Sequence, residues 1–279
     1  MLREISIARN IGFCAGVQRA IDLAQEGAAV HGELLMLGDI VHNETVVSEL
    51  AAKGIRVIGD PADIPVGKPV LLRAHGTSRA VLENIRKLNL RVIDATCPLV
   101  LEIHQLAREM EAEKRGIVII GDHRHDEVVA IASQVKNPVV LANREDARTF
   151  PRTRRVGIVV QSTQTIENVR AIITEIIDRV EDLRFANTIC RPTRLRQAEI
   201  RELAARNEVI LIVGSRTSAN TKRLAELAGR INPNTHLIET ETEVQKEWFT
   251  GKVRVGIAAG ASTPMEIVEE VRKKVSGIT

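Results

Sequence analysis

The feature that most restricts how this chain can fold is a threefold repetition marked out by its three cysteines. Cys14, Cys97 and Cys190 lie 83 and 93 residues apart in a chain of 279. Near-equal spacing of that length points to a repeated structural unit. Other motifs keep the same intervals. A strand over residues 34–37 runs into Gly38-Asp39-Ile40-Val41-His42-Asn43-Glu44, and one over 117–120 runs into Gly121-Asp122-His123-Arg124-His125-Asp126-Glu127, so G-D-x-x-H-x-E occurs twice with an 83-residue offset. In the last third, a strand over 209–213 runs into Gly214-Ser215-Arg216-Thr217-Ser218-Ala219-Asn220, a further 93 residues on.

A second strand recurs in each third. Residues 70–74 precede His75-Gly76-Thr77-Ser78, residues 156–160 precede Gln161-Ser162-Thr163, and residues 253–259 precede Gly260-Ala261-Ser262-Thr263. The approach to two cysteines is also alike: Leu90-Arg91-Val92-Ile93-Asp94-Ala95-Thr96-Cys97 matches Leu183-Arg184-Phe185-Ala186-Asn187-Thr188-Ile189-Cys190, and the third copy is the strand over 5–8 before Cys14. Amphipathic stretches over 81–88, 169–180 and 222–231 lie between the strands. Strand and helix in alternation predict an α/β chain of three pseudo-repeated small domains, each a parallel-rich sheet with helices packed on it. The predicted domains are 15–97, 98–189 and 190–279, the last completed by the N-terminal strand of 1–14. In open α/β sheets ligands bind beyond the carboxyl ends of the strands, where all of these polar motifs fall. Three such ends facing one axis would enclose a central site, and the repeats are also compatible with modules strung apart.

Composition removes several classes of function. Lys and Arg number 39 against 36 Asp and Glu, a net charge of +3 that is too small and dispersed for a DNA-binding surface. Aromatic residues are 2% of the chain, with no Tyr, so base-stacking platforms are not expected and nucleic acid is not the predicted partner. Met1-Leu-Arg-Glu-Ile lacks the basic-then-apolar pattern of a signal peptide, and no apolar run approaches the length of a membrane span. The expected setting is the cytoplasm, with no membrane. Three widely spaced cysteines make no disulfide framework there and are core filler, metal ligands or reactive thiols.

A lone cysteine after a strand is usually core. Recurrence at one repeat position, beside Gly, Pro or Thr, favours a shared ligand role. Three thiolates with no C-x-x-C pair do not suit a closed zinc site, which takes four protein ligands. A [4Fe–4S] cluster on three cysteines would leave its fourth iron open to a substrate oxygen. His42, His75 and His125 each follow a strand, and Thr163, Ser218, Asn220 and Ser262 occupy matching positions. Imidazole, amide and hydroxyl groups together make a donor set for an anion rich in oxygen, such as a diphosphate. A three-histidine metal site is the rival reading, and the Ser and Asn of the third repeat, weak metal ligands, count against it. Glu127 falls two residues after His125. In surroundings that exclude water and hold an anion, its pKa would rise and it could deliver protons at neutral pH. Glu44, its counterpart, is read as a surface charge.

These motifs together closely resemble the 4-hydroxy-3-methylbut-2-enyl diphosphate reductase (LytB/IspH) family, over essentially the whole chain. The pieces that carry the likeness are Gly12-Phe13-Cys14-Ala15-Gly16-Val17, Val41-His42-Asn43, Ala74-His75-Gly76, Asp94-Ala95-Thr96-Cys97-Pro98-Leu99-Val100, His125 with Glu127, Gln161-Ser162-Thr163, Thr188-Ile189-Cys190, Gly214-Ser215 with Ser218 and Asn220, and Ala259-Gly260-Ala261-Ser262. The resemblance implies a trefoil of three domains around a [4Fe–4S] cluster held by Cys14, Cys97 and Cys190. One iron would be open, and the cluster would degrade to [3Fe–4S] or be lost in air. It further implies a diphosphate bound by His42, His75, His125, Ser218, Asn220 and Ser262, with Ser162 and Thr163 near the substrate hydroxyl, Thr193 lining the site, and that hydroxyl on the open iron. Glu127 would supply protons. Two electrons, from ferredoxin or flavodoxin, and two protons would then remove the hydroxyl as water, giving isopentenyl and dimethylallyl diphosphate in the last step of the non-mevalonate isoprenoid pathway.

The sequence departs from the family pattern in four places. Ala219 stands where a second Ser is common, Asp126 where Pro precedes the glutamate, Ser162 where the family has Thr, and Arg191-Pro192 where an aromatic and Ala often follow the cysteine. None removes a cluster ligand or the proton donor. Readings from other classes are an iron–sulfur sensor or electron carrier, which needs neither the anion donors nor Glu127, and a redox-inactive phosphate-binding module.

Overall fold

Short Val-, Ile- and Leu-rich runs bounded by turn residues form strands, and the longer stretches of 3.6-residue periodicity between them form helices. The computed structural model describes residues 4–65 and 67–278; residues 1–3 of the predicted N-terminal segment lie outside the described residues. The chain opens with β1 (Glu4–Ile7) and α1 (Ala15–His31). The first repeat continues through β2 (Leu34–Leu37), α2 (Glu44–Ala52), β3 (Ile55–Ile58), β4 (Pro69–Leu72), α3 (Arg79–Lys87) and β5 (Arg91–Asp94). The second holds α4 (Pro98–Ala112), β6 (Gly116–Ile120), α5 (Asp126–Ala132), β7 (Val139–Leu141), α6 (Arg144–Arg148), β8 (Thr153–Val160), α7 (Ile166–Ile176) and β9 (Val180–Phe185). The third holds α8 (Arg191–Arg206), β10 (Val209–Val213), α9 (Ala219–Ile231), β11 (Thr235–Ile238), β12 (Arg254–Ala259) and α10 (Met265–Ser276).

The strands make three four-stranded sheets of one topology: β3-β2-β4-β5, β7-β6-β8-β9 and β11-β10-β12-β1. Every neighbouring pair is parallel. β1, the first strand of the chain, takes the place in the third sheet that β5 and β9 take in the other two, pairing with β12 in the register Glu4 with Arg254. The three small parallel-sheet α/β domains are therefore one design used three times.

Burial follows from that topology. The strands β2, β4 and β10 are buried along their whole length, as parallel strands covered on both faces are, which explains their unbroken apolar runs. Residues on alternate faces enter different cores. Val118 and Ile120 pack with Val156, Ile158, Ile172 and Ile176, while Ile117 and Ile119 pack with Ile103, Met110, Val128 and Ile131. The third sheet repeats this: Val209, Leu211 and Ile257 face Val268 and Val271 of α10, and Ile210 and Ile212 face Ile200 of α8 and Leu224 of α9.

By contacts, the chain divides into two compact units. One comprises the described residues of 1–17, 42–46 and 191–279, and contains the third sheet; the other comprises 18–41 and 47–190, and contains the first and second sheets. Among the described residues, no helix is long and apolar enough to cross a membrane.

Candidate active site

The three cysteines have the same local setting. Each follows the strand that closes its sheet and stands immediately before a helix, Cys14 before α1, Cys97 before α4 and Cys190 before α8. Each donates its backbone N–H to a carbonyl just beyond β12, β4 or β8: Cys14 to Ala261 at 3.1 Å, Cys97 to Ala74 at 3.0 Å and Cys190 to Ser162 at 3.0 Å. All three are half-buried and none is in a disulfide. The partial positive charge at a helix start suits a ligand that binds as an anion. Three sulfurs at equivalent places, with no fourth cysteine in the chain, fit a cluster ligated through three of its irons and do not fit a closed zinc site.

In the unit that carries the first and second sheets, Glu127 is 1% exposed. Its Oε1 accepts the backbone N–H of Ser162 at 2.6 Å, and its Oε2 accepts the Ser162 hydroxyl at 2.7 Å. His125 caps α5: its Nδ1 accepts the Glu127 backbone N–H at 3.2 Å. With Nδ1 an acceptor, the neutral ring carries its proton on Nε2 and offers it as a donor. The His125 ring meets that of His75 edge to face, with centroids 5.5 Å apart. Thr163 is half-buried, its hydroxyl accepting from the Gln161 side chain at 3.0 Å, and the other end of that amide accepts the Asp122 backbone N–H at 2.9 Å. Asp126, next to Glu127, pairs with Arg73 at 2.7 Å.

The turn after His75 is made by Gly76, at φ +86°, and a Cβ there would lie 3.1 Å from Cε1 of His104 on α4. The His104 ring is 5% exposed and its Nε2 has no hydrogen-bond partner among the described residues. Burial, reinforced by the nearby Arg108 charge and opposed by Asp94, pushes its pKa down to about 4.

In the other unit, His42 precedes Asn43, whose Oδ1 accepts the Val46 N–H at 3.2 Å at the start of α2. The Asn43 amide donates to the Ser262 carbonyl at 2.7 Å, and the Ser262 hydroxyl donates to the His42 carbonyl at 3.3 Å. Two expected anion donors, His42 and Ser262, are thus fastened together. Ser218 caps α9, its hydroxyl accepting the Thr221 N–H at 3.4 Å. Asn220 is 5% exposed, and neither end of its side-chain amide has a hydrogen-bond partner among the described residues. Such a buried amide is costly unless a ligand completes it. Ala219, in place of a second serine, brings no hydroxyl, and Thr193 is buried in the first turn of α8. Arg191 and Pro192 begin that helix, where a proline costs no helical hydrogen bond.

Several residues that shape these settings were not legible as site residues. Arg196 donates to the Gly12 carbonyl at 2.7 Å, two residues before Cys14. Glu199 accepts the backbone N–H groups of Arg9 at 2.6 Å and Asn10 at 2.9 Å, and also their side chains. Burial pushes the Glu199 carboxyl up, but these donors together outweigh it and hold the group below the usual carboxylate range. Gln161 is fully buried. Its place in Gln-Ser-Thr was the one available sign.

The chain matches the family model for the LytB protein over residues 5–276. It is 38% identical over 273 residues to the 4-hydroxy-3-methylbut-2-enyl diphosphate reductase of Geobacter sulfurreducens, spanning 98% of this chain and 96% of that one. Its identity to the enzyme of the same name from Aquifex aeolicus is also 38%, over 99% of this chain and 96% of the relative. Among solved structures it resembles (E)-4-hydroxy-3-methyl-but-2-enyl diphosphate reductase, described as the terminal enzyme of the non-mevalonate pathway, with a TM-score of 0.72 at 37% identity over 99% of this chain and all of the other. The Plasmodium falciparum reductase gives a TM-score of 0.91 at 26% identity, covering 99% of this chain and 87% of that one.

Proposed function

The chain belongs to the LytB family of 4-hydroxy-3-methylbut-2-enyl diphosphate reductases, and we propose how its residues serve that reaction. It is an oxidoreductase that converts (E)-4-hydroxy-3-methylbut-2-enyl diphosphate, two electrons and two protons into water and isopentenyl or dimethylallyl diphosphate. The observation that carries the assignment of residues is the threefold equivalence of Cys14, Cys97 and Cys190, each held by one backbone hydrogen bond at the start of a helix. These three hold a [4Fe–4S] cluster. When bound, the cluster supplies the electrons and one iron without a protein ligand.

The diphosphate is bound by His42, His75, His125, Ser218, Asn220 and Ser262. The tautomer of His125, with its proton on Nε2, supports a donor role toward phosphate oxygens, as does the buried, uncompleted amide of Asn220. Glu127 gives the proton that the departing hydroxyl needs to leave as water. Its burial and the two bonds from Ser162 support that role by fixing where the carboxyl can deliver it. When Glu127 carries its proton, the Ser162 hydroxyl can turn from donor to acceptor, and Thr163 lies one residue on. Thr193 lines the same site. Ferredoxin or flavodoxin is the electron donor, the cytoplasm is the setting, and no nucleic acid takes part.

The test is iron analysis and spectroscopy of anaerobically purified protein, with and without the diphosphate substrate. About four irons per chain are expected, with a spectral change on adding substrate and bleaching in air. Each Cys→Ser variant should lose reductase activity. Full iron content and full activity in Cys190→Ser would sink the three-ligand assignment, and a wild-type spectrum indifferent to the diphosphate would favour an electron carrier.

A further inference from the structure

Asp126 occupies the first position of α5, between His125 and Glu127, where the family pattern has proline. A proline at the first helical position fixes φ and stiffens the entry into the helix. An aspartate does neither, so the chain here must be held by other means. The structure places an ion pair at this point. The Asp126 carboxylate pairs with the Arg73 guanidinium at 2.7 Å, with both side chains about three-quarters buried. Arg73 follows β4 in the first sheet and stands two residues before His75; Asp126 follows His125 in the second sheet's repeat.

The ion pair therefore ties together the two backbones that carry a pair of histidines in edge-to-face contact. Gly38, at φ +70°, lets the guanidinium cross the end of β2: a Cβ there would lie 2.9 Å from the Arg73 Nη1. Glu127 does not depend on this link to the same degree, because Ser162 holds it separately.

We propose that the Arg73–Asp126 pair is a positioning clamp that does the work of the missing proline, holding His75 and His125 at the spacing that binds the substrate's diphosphate. The proposal rests on the reductase reading for its ligand. Arg73 and Asp126 are positioning residues: they act through the two histidines, and the effect belongs in substrate affinity more than in the proton step.

Four variants of the anaerobic holoenzyme test this: Arg73→Ala, Asp126→Ala, Asp126→Pro, and Arg73→Ala combined with Asp126→Pro. The readouts are KM and kcat for the diphosphate substrate and inhibition by inorganic diphosphate, with iron content and melting temperature as folding controls. Arg73→Ala and Asp126→Ala should each raise KM and weaken inorganic diphosphate about tenfold, with kcat changed less than about threefold. Asp126→Pro should recover most of the affinity. On that background, Arg73→Ala should cost little more, because the clamp is already gone and the backbone is stiffened. Wild-type affinity in Asp126→Ala overturns the clamp. So does an equal loss from Arg73→Ala on the aspartate and proline backgrounds, which would mean that Arg73 meets the anion itself. If a single variant loses iron or melts early, the comparison of Asp126→Pro with its double variant still decides. A wild-type protein that ignores inorganic diphosphate and substrate alike overturns the reductase reading and the clamp with it.

Discussion

Ser162 joins two parts of the proposed chemistry, donating its backbone N–H and its hydroxyl to the two oxygens of Glu127 while its carbonyl accepts the N–H of Cys190 at 3.0 Å. One residue beyond β8 therefore fixes the carboxyl proposed to give the proton relative to a cysteine proposed to hold the cluster. From the sequence, Ser162 was expected near the substrate hydroxyl. Its observed partner is the carboxyl of Glu127, so its effect on turnover should run largely through that group.

Ser162→Ala keeps the backbone bonds to Glu127 and Cys190 and removes only the hydroxyl. The hydroxyl helps fix where the Glu127 carboxyl sits, and misplacing a reacting group by about 1 Å can cost up to roughly a hundredfold in rate. We expect kcat to fall about tenfold or more, with iron content and KM nearly unchanged and with most of the activity kept by Ser162→Thr. Steady-state kinetics on iron-replete protein checks this.

Glu127→Gln should keep the cluster and the substrate-induced spectral change while turnover drops by about a hundredfold or more, because the amide can hold the Ser162 bonds but cannot cycle a proton. Glu44→Gln is the comparison, since Glu44 is an exposed residue at the start of α2, and should stay active. A Glu127→Gln enzyme that turns over at the wild-type rate would move the proton source elsewhere.

His75→Ala, His125→Ala and Asn220→Ala should weaken binding of the diphosphate substrate far more than binding of the same alcohol without phosphates. Charge-assisted bonds to phosphate oxygens are absent from the second ligand, so the ratio isolates the anion contacts. Equal losses would assign these side chains to the fold or the cluster instead.

Glu199→Gln should lower the melting temperature and speed cluster loss. Glu199 braces Arg9 and Asn10 in the segment leading to Cys14, and the amide nitrogen would face an N–H donor that the carboxylate now accepts; the expected cost is about 2 kcal/mol. The pH dependence has a definite sign. The folded carboxyl is held below its unfolded pKa, so its stabilising contribution is present above the unfolded value and is lost as pH falls through the folded one. Denaturation curves across the carboxylate range should be flatter for Glu199→Gln.

His104 gives a second acid-sensitive element, at higher pH. Its pKa is pushed from 6.5 down to about 4, so between those values the unfolded chain takes up a proton that the folded chain refuses, and stability falls as pH falls. Relative to pH 7.5, the loss at pH 5 should be about 2 kcal/mol. Urea unfolding of wild type and His104→Gln at both pH values checks this, with the smaller pH dependence expected in the variant.

Repetition made much of the fold legible. The strands over 34–37 and 209–213 coincide with β2 and β10, because buried parallel strands are unbroken apolar runs with sharp glycine ends. The helix expected over 169–180 instead starts at Ile166, capped by the Thr165 hydroxyl on the Asn168 N–H, and stops at Ile176; the apolar spacing that suggested a longer helix belongs to a short 3-10 turn and to Val180 of β9. The outer strands β3, β7 and β11 were missed, since three or four partly exposed residues give little periodic signal. For the site, equivalent positions in the repeats pointed to Cys14, Cys97, Cys190 and the anion donors. They could not reveal Glu199 on Arg9 or Ser162 on Glu127, because side-chain contacts between residues 190 and 35 positions apart leave no local pattern.

The pairing of β1 with β12 has a consequence for synthesis. Domains tend to fold from the N-terminus as the chain leaves the ribosome, yet Glu4 and Ile7 find their strand partners only at Arg254 and Ile257. The first strand to emerge is thus the last to be paired. Until the chain has grown that far, Cys14 also lacks the Ala261 carbonyl that holds its N–H. A nascent chain can complete the sheets that lead to Cys97 and Cys190 before the backbone around Cys14 is fixed, so the three proposed cluster ligands all reach their final settings only once residues 254–261 have been made.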